Sequence, residues 1–185
     1  MSAASLKGRL LLANPAMPDP NFHRTVVLIL EHSGEGAVGV VLNRPSDTAV
    51  GGALPQWEEL AADPSVVFVG GPVEPNAAIC LAEVSGVGEQ ESFRPVLGRL
   101  GTLDLGADEA ESAKGVRGLR VFVGYAGWAG GQVEAELEAG GWFVVDAHPG
   151  DALSSRPAQL WGAALRRQGG WLAALAAFPS EPSVN

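Results

Sequence analysis

The sequence has a single cysteine, and this scarcity excludes two kinds of covalent framework. Cys80 alone can form neither an intrachain disulfide nor a zinc site built from several cysteines. It lies within the apolar segment 77–82, where a cysteine most often fills core space like a small hydrophobic residue. A nucleophilic Cys80 would need a basic neighbour to stabilise its thiolate, so we expect a buried and unreactive thiol.

Long apolar runs are also missing. The longest, at 26–30 and 171–178, fall well short of the roughly 20 residues that span a bilayer. The run 10–13 that follows Lys7 and Arg9 is shorter than the apolar region of a signal peptide. We therefore expect no membrane segment and a cytoplasmic location.

Positive charge is scarce. Twelve basic residues against 21 acidic ones give a net charge of −9. A nucleic-acid-binding surface normally needs a basic stripe that displaces counterions from phosphates, so we do not expect direct nucleic-acid binding. The local exception is the acid-free stretch 153–178 with Arg156, Arg166 and Arg167. Three arginines on a helix are more typical of a solvated face than of a DNA-reading one.

Sequence signatures of metal, phosphate and cofactor sites are absent. The three histidines are scattered, and neither a His-Glu-x-x-His spacing nor a Cys/His cluster occurs. Asp104, Asp108 and Glu109 do not have the spacing of an EF-hand loop. The glycine-rich segment 124–131 lacks the Lys-Ser/Thr of a P-loop. We predict no metal and no cofactor.

The 185 residues, 46% of them hydrophobic, suffice for one domain with a sizeable core, which we assign to 1–185. Apolar and β-branched runs predict strands at 10–13, 25–31, 37–42, 66–69, 77–84, 119–124 and 142–146, with one or two more in 96–105. Helical spacing predicts helices at 54–62, 132–139 and 171–178, a turn or short helix at 107–115, and a helix with Pro157 in its first turn and Ser154 or Ser155 as its cap. Because strands and helices do not alternate, we predict an α+β fold: a mixed, largely antiparallel twisted sheet or partial barrel flanked by helices.

Several of these segments together resemble the YqgE/AlgH family. The motifs, in chain order, are Asp19-Pro20 with Phe22 and Val26, Glu31-His32, Gly36-Ala37-Val38-Gly39, Asn43-Arg44-Pro45, Gly70-Gly71-Pro72-Val73 and the run 124–137. They span nearly the whole chain, and the ending 182–185 looks like that of actinobacterial members. Val133 stands where the family usually has Leu, which is a change between apolar residues. The resemblance implies a bacterial protein with a mixed, partly barrel-like sheet. Members are often labelled transcriptional regulators.

Segment 124–131 is predicted to turn from a strand into a helix, the position of many anion-binding loops. Glu134, Glu136 and Glu138 on that helix would oppose a phosphate, so we favour a tight turn beneath Trp128. Gln132 and Glu136 lie four residues apart on one helix face. They form either a polar pair in a ligand groove beside Trp128 or a solvated capping pair, and both interpretations stay open.

His32 lies where a strand enters its turn, and a hydrogen-bonded turn histidine is favoured over a general base. His23 and His148 are interpreted as ordinary surface residues. Arg44, in Asn43-Arg44-Pro45, either binds a carboxylate or phosphate through two hydrogen bonds (bidentate binding) or fixes its own loop through a partner carboxylate.

The favoured function is a binding or regulatory module for a small ligand or a protein partner. Polar motif residues cluster at strand ends, where sites usually form. The candidate groove residues are His32, Asn43, Arg44, Gly70, Gly71, Trp128, Gln132 and Glu136. One alternative is a hydrolase using His32 with Glu136 or Asp19. Another, suggested by the family label, is a transcriptional regulator that acts on DNA directly.

Overall fold

The computed structural model of the chain describes residues 4–86 and 91–178. Within them lie the strands β1 (Arg9–Ala13), β2 (Val26–Ser33), β3 (Gly36–Val41), β4 (Pro45–Ala49), β5 (Val66–Val69), β6 (Val73–Val84), β7 (Phe93–Leu97), β8 (Leu100–Leu103), β9 (Val116–Ala129) and β10 (Trp142–Asp146). The helices are α1 (Val50–Ala53), α2 (Glu109–Ser112), α3 (Gln132–Glu138), α4 (Pro157–Gln168) and α5 (Gly170–Leu175), with 3₁₀ turns at Pro55–Leu60 and Pro149–Asp151. The ending 182–185 lies outside the described residues, as do residues 87–90, which belong to a polar, glycine-bearing segment 85–92 that the sequence predicts to be a loop.

The strands form one curled sheet in the order β10–β1–β2–β3–β9–β6–β8–β7, with β5 beside β9 and β4 beside β5. The pairs are antiparallel except for β5 with β9. The curl brings Gly8, just before β1, against β7: a Cβ on Gly8 would lie 2.9 Å from the carbonyl oxygen of Val96. The predicted α+β fold with a mixed, largely antiparallel, partly barrel-like sheet is confirmed.

Strand β2 shows why its sequence is a continuous apolar run instead of an alternating one. Residues 26–30 are all buried, and the even-numbered ones pack in a core cluster with Trp161 of α4. The odd-numbered ones pack on the other face, in a cluster with Trp128. A strand covered on both faces has no polar side to expose.

Helix α4 covers the first of these clusters with the stripe predicted from its spacing. Leu160, Trp161, Ala164 and Leu165 are all buried there. The Trp161 Nε1 donates to the carbonyl oxygen of Ala13 at 3.0 Å, which ties α4 to β1. Pro157 is in the first turn as predicted, but the predicted serine cap is wrong. The N-cap is Arg156, without a capping side-chain bond.

The prediction of a loop at 124–131 is also wrong, since β9 runs through it to Ala129. Before Gly124 the strand pairs with β6, and from Ala126 onward it pairs with β3. Gly124 has φ +72°, and a Cβ on it would collide with the backbone of Gly71. The glycines of segment 124–131 therefore permit a close crossing of strands, and only the last part of the segment turns into α3.

Three further differences between the predicted and the observed helices and strands have local causes. The helix predicted at 54–62 is a 3₁₀ turn at Pro55–Leu60, preceded by the separate α1, because Pro55 lacks the N–H that would continue α1 into it. Strand β4 was not predicted, since it begins at a proline and its residues are mostly exposed. Segment 96–105 contributes to two strands, β7 and β8, as one alternative allowed, with β7 beginning earlier at Phe93.

Candidate functional site

A concavity of about 310 Å³ opens between the end of β9, helix α3 and the loop that joins β1 to β2. We call it the aromatic pocket. Its walls include the rings of Phe22, Trp128 and Trp142 and the polar side chains of Asp19, Gln132 and Glu136. These residues come from four separate parts of the chain.

The three rings contact one another. The Phe22 and Trp142 centroids lie 5.4 Å apart in an edge-to-face arrangement, and those of Trp128 and Trp142 lie 6.1 Å apart at 76°. Phe22 stacks on Trp128 at 6.3 Å. The two indoles are almost entirely buried, whereas Phe22 is half-buried. Edge-to-face contacts of this kind favour one ring geometry, so the aromatic wall is preformed.

Glu136 holds both indoles in place. Its Oε2 accepts hydrogen bonds from the Nε1 of Trp128 at 2.6 Å and from the Nε1 of Trp142 at 3.3 Å. Its Oε1 accepts a longer one, of 3.4 Å, from the amide of Gln132. A buried indole N–H needs an acceptor, and an ionised carboxylate is a strong one. The groove interpretation of Gln132 and Glu136 and the capping interpretation both apply, because Gln132 Oε1 also accepts the backbone N–H of Ala129 at 3.0 Å.

Asn43 and Arg44 lie behind the loop that bears Asp19 and Phe22. The Asn43 amide donates to the carbonyl oxygen of Arg24, and its oxygen accepts the N–H of Val26. Arg44 donates to the carbonyl oxygens of Pro20 at 3.0 Å and His23 at 3.2 Å. Burial lowers the pKa of Arg44, and the nearby Asp19 carboxylate opposes that shift. Both side chains thus fasten the loop that forms one wall of the pocket.

His32 of β2 does not line the aromatic pocket, and its side chain is 5% exposed. Its Nδ1 accepts the backbone N–H of Leu6 at 2.9 Å, so Nε2 bears the proton and donates to Glu134 Oε1 at 2.6 Å. The hydrogen bond from His32 lowers the pKa of Glu134. The partner is therefore Glu134, not the Glu136 or Asp19 that the hydrolase interpretation named. Both ring nitrogens are occupied, which leaves His32 no free acceptor for a substrate proton.

Gly70 and Gly71 lie at the crossing of β9 with the start of β6, away from the aromatic pocket. Gly70 accepts the N–H of Val41 and donates to the carbonyl oxygen of Val123, each at 2.8 Å. A Cβ on Gly71 would overlap the backbone of Tyr125. Close backbone approach accounts for both glycines.

The structure thus brings Trp128, Gln132 and Glu136 together, and sequence reasoning missed two of their neighbours as site residues. Phe22 was noted only as part of a motif, and Trp142 only as the start of a strand. They share no local signal beyond being large aromatic residues, since Phe22 lies in the loop before β2 and Trp142 begins β10. Which of these residues meet depends on the sheet register, in which Trp142 pairs with Ala13.

Other potentially reactive or charged side chains have structural roles. Cys80 is buried, and desolvation raises the pKa of its thiol to about 12, as its predicted core position implies. Arg167 is bonded to Asp151 at 2.6 Å. Within residues 4–86 and 91–178, no group of three or more His, Cys, Asp or Glu side chains could hold a metal ion. No helix of these two ranges is long and apolar enough to cross a membrane.

The fold and the pocket define a class: a small α+β half-barrel whose open concavity is aromatic and acidic. The AlgH-like family model matches residues 10–173. A UPF0301 protein of Streptomyces coelicolor is 50% identical, covering 98% of this chain and 96% of the relative. One from Mycobacterium tuberculosis is 48% identical over 96% of this chain and 90% of its own length.

Two solved structures have the same fold. The crystal structure of protein DIP2367 from Corynebacterium diphtheriae superimposes with a TM-score of 0.89 at 34% identity, covering 96% of this chain and 95% of that one. The solution structure of the AlgH protein from Pseudomonas aeruginosa gives 0.69 at 33% identity, with 98% of each chain covered. The chain belongs to the AlgH-like family, as its motifs indicated.

Proposed function

We propose that this protein is a one-domain cytoplasmic binding module that recognises a small ligand in the aromatic pocket. Small-molecule sites are typically concave, mostly apolar and preformed, with a few polar groups that fix the ligand's orientation. The aromatic pocket has each of these properties. Its volume of about 310 Å³ lies at the small end of the usual range for such sites.

The observation that supports this proposal most is the partial burial of the Glu136 carboxylate without a counter-ion. A charged side chain is costly to desolvate, yet this one is half-buried against two indoles at the base of an opening. Among the described residues no Lys, Arg or His forms an ion pair with it. Its Oε1 has one long hydrogen bond, so acceptor capacity is left for a ligand.

The supporting structure around the pocket agrees with a binding role. Asn43 and Arg44 fasten one wall from behind, and Gln132 fixes the start of the helix that bears Glu136. Preorganised walls reduce the entropy that binding would otherwise cost. In this proposal the motif at 124–137 lines the pocket directly, and the motif at 43–44 supports it from behind.

A thermal-shift screen with matched pocket variants tests the proposal. Ala139 lines the pocket rim, whereas Ala135 is exposed on the same helix and does not line it. Ala139→Leu narrows the opening, and Ala135→Leu is the control. A compound that binds should raise the Tm of the wild type by roughly 5–10 °C at about 100 times its Kd.

The expected result is at least one compound that stabilises the wild type and the Ala135→Leu variant but not the Ala139→Leu variant. The library should contain cationic, neutral and anionic small molecules in equal numbers. If no compound stabilises the wild type, or if every stabilising compound acts equally on Ala139→Leu, the aromatic pocket is not the binding site.

A further inference from the structure

We propose that the aromatic pocket takes a small organic cation, with an ammonium or guanidinium centre held between the aromatic wall and the carboxylates of Glu136 and Asp19. This inference rests on the proposed binding function and names the class of ligand. It comes from three features of the pocket: its charges, its inventory of donors and acceptors, and its rings.

The charges that line the pocket are all negative. Its lining contains the carboxylates of Glu136 and Asp19 and, among the described residues, no Lys, Arg or His. Arg44 interacts electrostatically with Asp19 but lies behind the loop, where it donates to the carbonyl oxygens of Pro20 and His23. It offsets part of the charge of Asp19 and leaves that of Glu136 uncompensated. The net charge of −9 adds an attractive field for a cation.

The hydrogen-bonding groups of the lining also favour a donor ligand. The pocket has three side-chain donor atoms, the Nε1 of Trp128, the Nε1 of Trp142 and the Nε2 of Gln132, and each already bonds Glu136. One N–H of the Gln132 amide remains. On the acceptor side, Glu136 Oε1 has a single long bond, and Asp19 uses Oδ1 for the N–H of Asn21 at 2.9 Å, which leaves its Oδ2. An anion would meet two carboxylates and one donor, whereas a cation meets acceptors.

The rings supply the remaining attraction. An aromatic face bears partial negative charge and attracts ammonium and guanidinium groups, most strongly when the ring is that of tryptophan. Both indoles donate to a carboxylate, and such a bond polarises the donor towards more negative charge. Phe22 stacks on Trp128 and meets Trp142 edge to face, and it is the half-buried ring of the three, so a ligand meets its face first, with the two buried indoles behind it.

The same set of lining groups favours an organic cation over a metal ion. Ca²⁺ takes about six to eight oxygen ligands and Mg²⁺ needs a nearly octahedral set. The pocket offers two carboxylates, one amide and an apolar wall. A ligand with apolar substituents around its charge fits both halves of this surface.

Isothermal titration with a matched set of probes tests the inference. Choline bears a trimethylammonium group. Its neutral carbon isostere replaces that group by tert-butyl, and a carboxylate of similar size supplies the opposite charge. We expect choline to bind about tenfold more tightly than the neutral isostere, and the carboxylate not to bind. Raising the ionic strength should lower the affinity for choline and leave the affinity for the neutral isostere unchanged.

Two variants assign the effect to the pocket. Glu136→Gln removes the charge and keeps one acceptor oxygen for the indoles, and Glu138→Gln removes a charge from the same helix outside the pocket. Glu136→Gln should lower choline affinity about tenfold without changing that of the neutral isostere. Glu138→Gln should change neither by more than about twofold, since it is exposed. Circular dichroism and thermal melting confirm that both variants are folded.

The outcomes separate this inference from the proposed function. Equal binding of the isostere and choline, or preference for the carboxylate, overturns the cation inference and leaves a binding module that takes another ligand. The same holds if the thermal-shift screen yields only neutral or anionic ligands sensitive to Ala139→Leu. Absence of binding by choline and by every compound of the screen overturns both.

Discussion

Arg120 and Glu136 are both held by neutral groups, with no counter-ion bonded to either among the described residues, and their surroundings differ in one respect. Arg120 of β9 is 1% exposed and donates to the carbonyl oxygens of Ala152, Ser154, Ala62 and Asp63. Its guanidinium also stacks over the ring of Phe68 at 4.2 Å. Glu136 is likewise held by neutral groups, two indole N–H donors and an amide. The arginine is enclosed, and the glutamate borders an opening.

The comparison separates a structural charge from a candidate binding charge. Arg120 donates to carbonyl oxygens of two loops, at 62–63 and at 152–154. Burial lowers its pKa to about 10, so the side chain is still charged at neutral pH. Glu136 keeps unused acceptor capacity towards solvent. A charge with every contact internal stabilises the fold, whereas one with capacity left over is available to a ligand.

The largest effect is expected from Arg120→Met. The substitution keeps a long apolar side chain but leaves several backbone carbonyl oxygens without a donor, each costing about 1–3 kcal/mol when buried. We expect a loss of at least about 3 kcal/mol in the free energy of unfolding, measured by urea denaturation. The control is Arg117→Met on the same strand, which is exposed and should stay within about 0.5 kcal/mol. A loss below about 1 kcal/mol for Arg120→Met would show that water replaces the guanidinium, and the enclosure argument would fail.

Glu136→Leu should have a smaller effect on stability. Two indole N–H groups lose their acceptor, but the pocket is open and water can reach part of the site, so we expect a cost of about 1–2 kcal/mol. Glu138→Leu on the same helix is the matched control, with little change expected. A cost as large as that of Arg120→Met would mean that Glu136 is a structural residue, and the contrast between the two charges would disappear.

Glu134→Gln tests a charge bonded to a neutral partner, His32. The folded-state pKa of Glu134 is lowered, so its contribution is present above the ordinary value of 4.5 and is lost as pH falls through the folded-state value. The variant should therefore be slightly less stable than the wild type at neutral pH. The difference in urea midpoint should shrink once the pH falls below 4.5. A difference that grew on acidification would reverse the sign of the assigned interaction.

The smallest effect concerns Cys80, a buried ionisable group that stays uncharged. Burial raises its pKa to about 12, so the thiol stays neutral and needs no partner charge. A thiol reagent at neutral pH should leave the native protein unmodified and label the cysteine once the protein is unfolded in urea. Rapid labelling of the native state would show that the core opens at β6.

Much of the fold was predictable because its signals are local. The apolar run 26–30 predicted β2, and the helical spacing of Leu160, Trp161, Ala164 and Leu165 predicted α4; both sets are buried. The segment 124–131 was mispredicted because glycine permits both a loop and a close strand crossing, and only the partner strands decide between them. The partners of Arg120, more than 30 positions away in sequence, were invisible for the same reason.

The candidate site, like the fold, has a part that local sequence spacing predicted and a part that it did not. The four-residue spacing of Gln132 and Glu136 placed both on one helix face beside Trp128, and the hydrogen bonds agree with that placement. Asp19, Phe22 and Trp142 join them through the sheet register and the loop after β1. Sequence spacing holds no information about such a meeting of distant segments.

The indole N–H signals of the five tryptophans offer the most direct test, because Trp128 and Trp142 line the pocket and Trp57, Trp161 and Trp171 do not. Two-dimensional nitrogen–proton NMR of the whole chain, titrated with choline, reports on all of them at once. We expect saturable shifts of the Trp128 and Trp142 signals, with the other three unchanged. Unmoved Trp128 and Trp142 signals throughout the titration, or shifts confined to the other tryptophans, would contradict it.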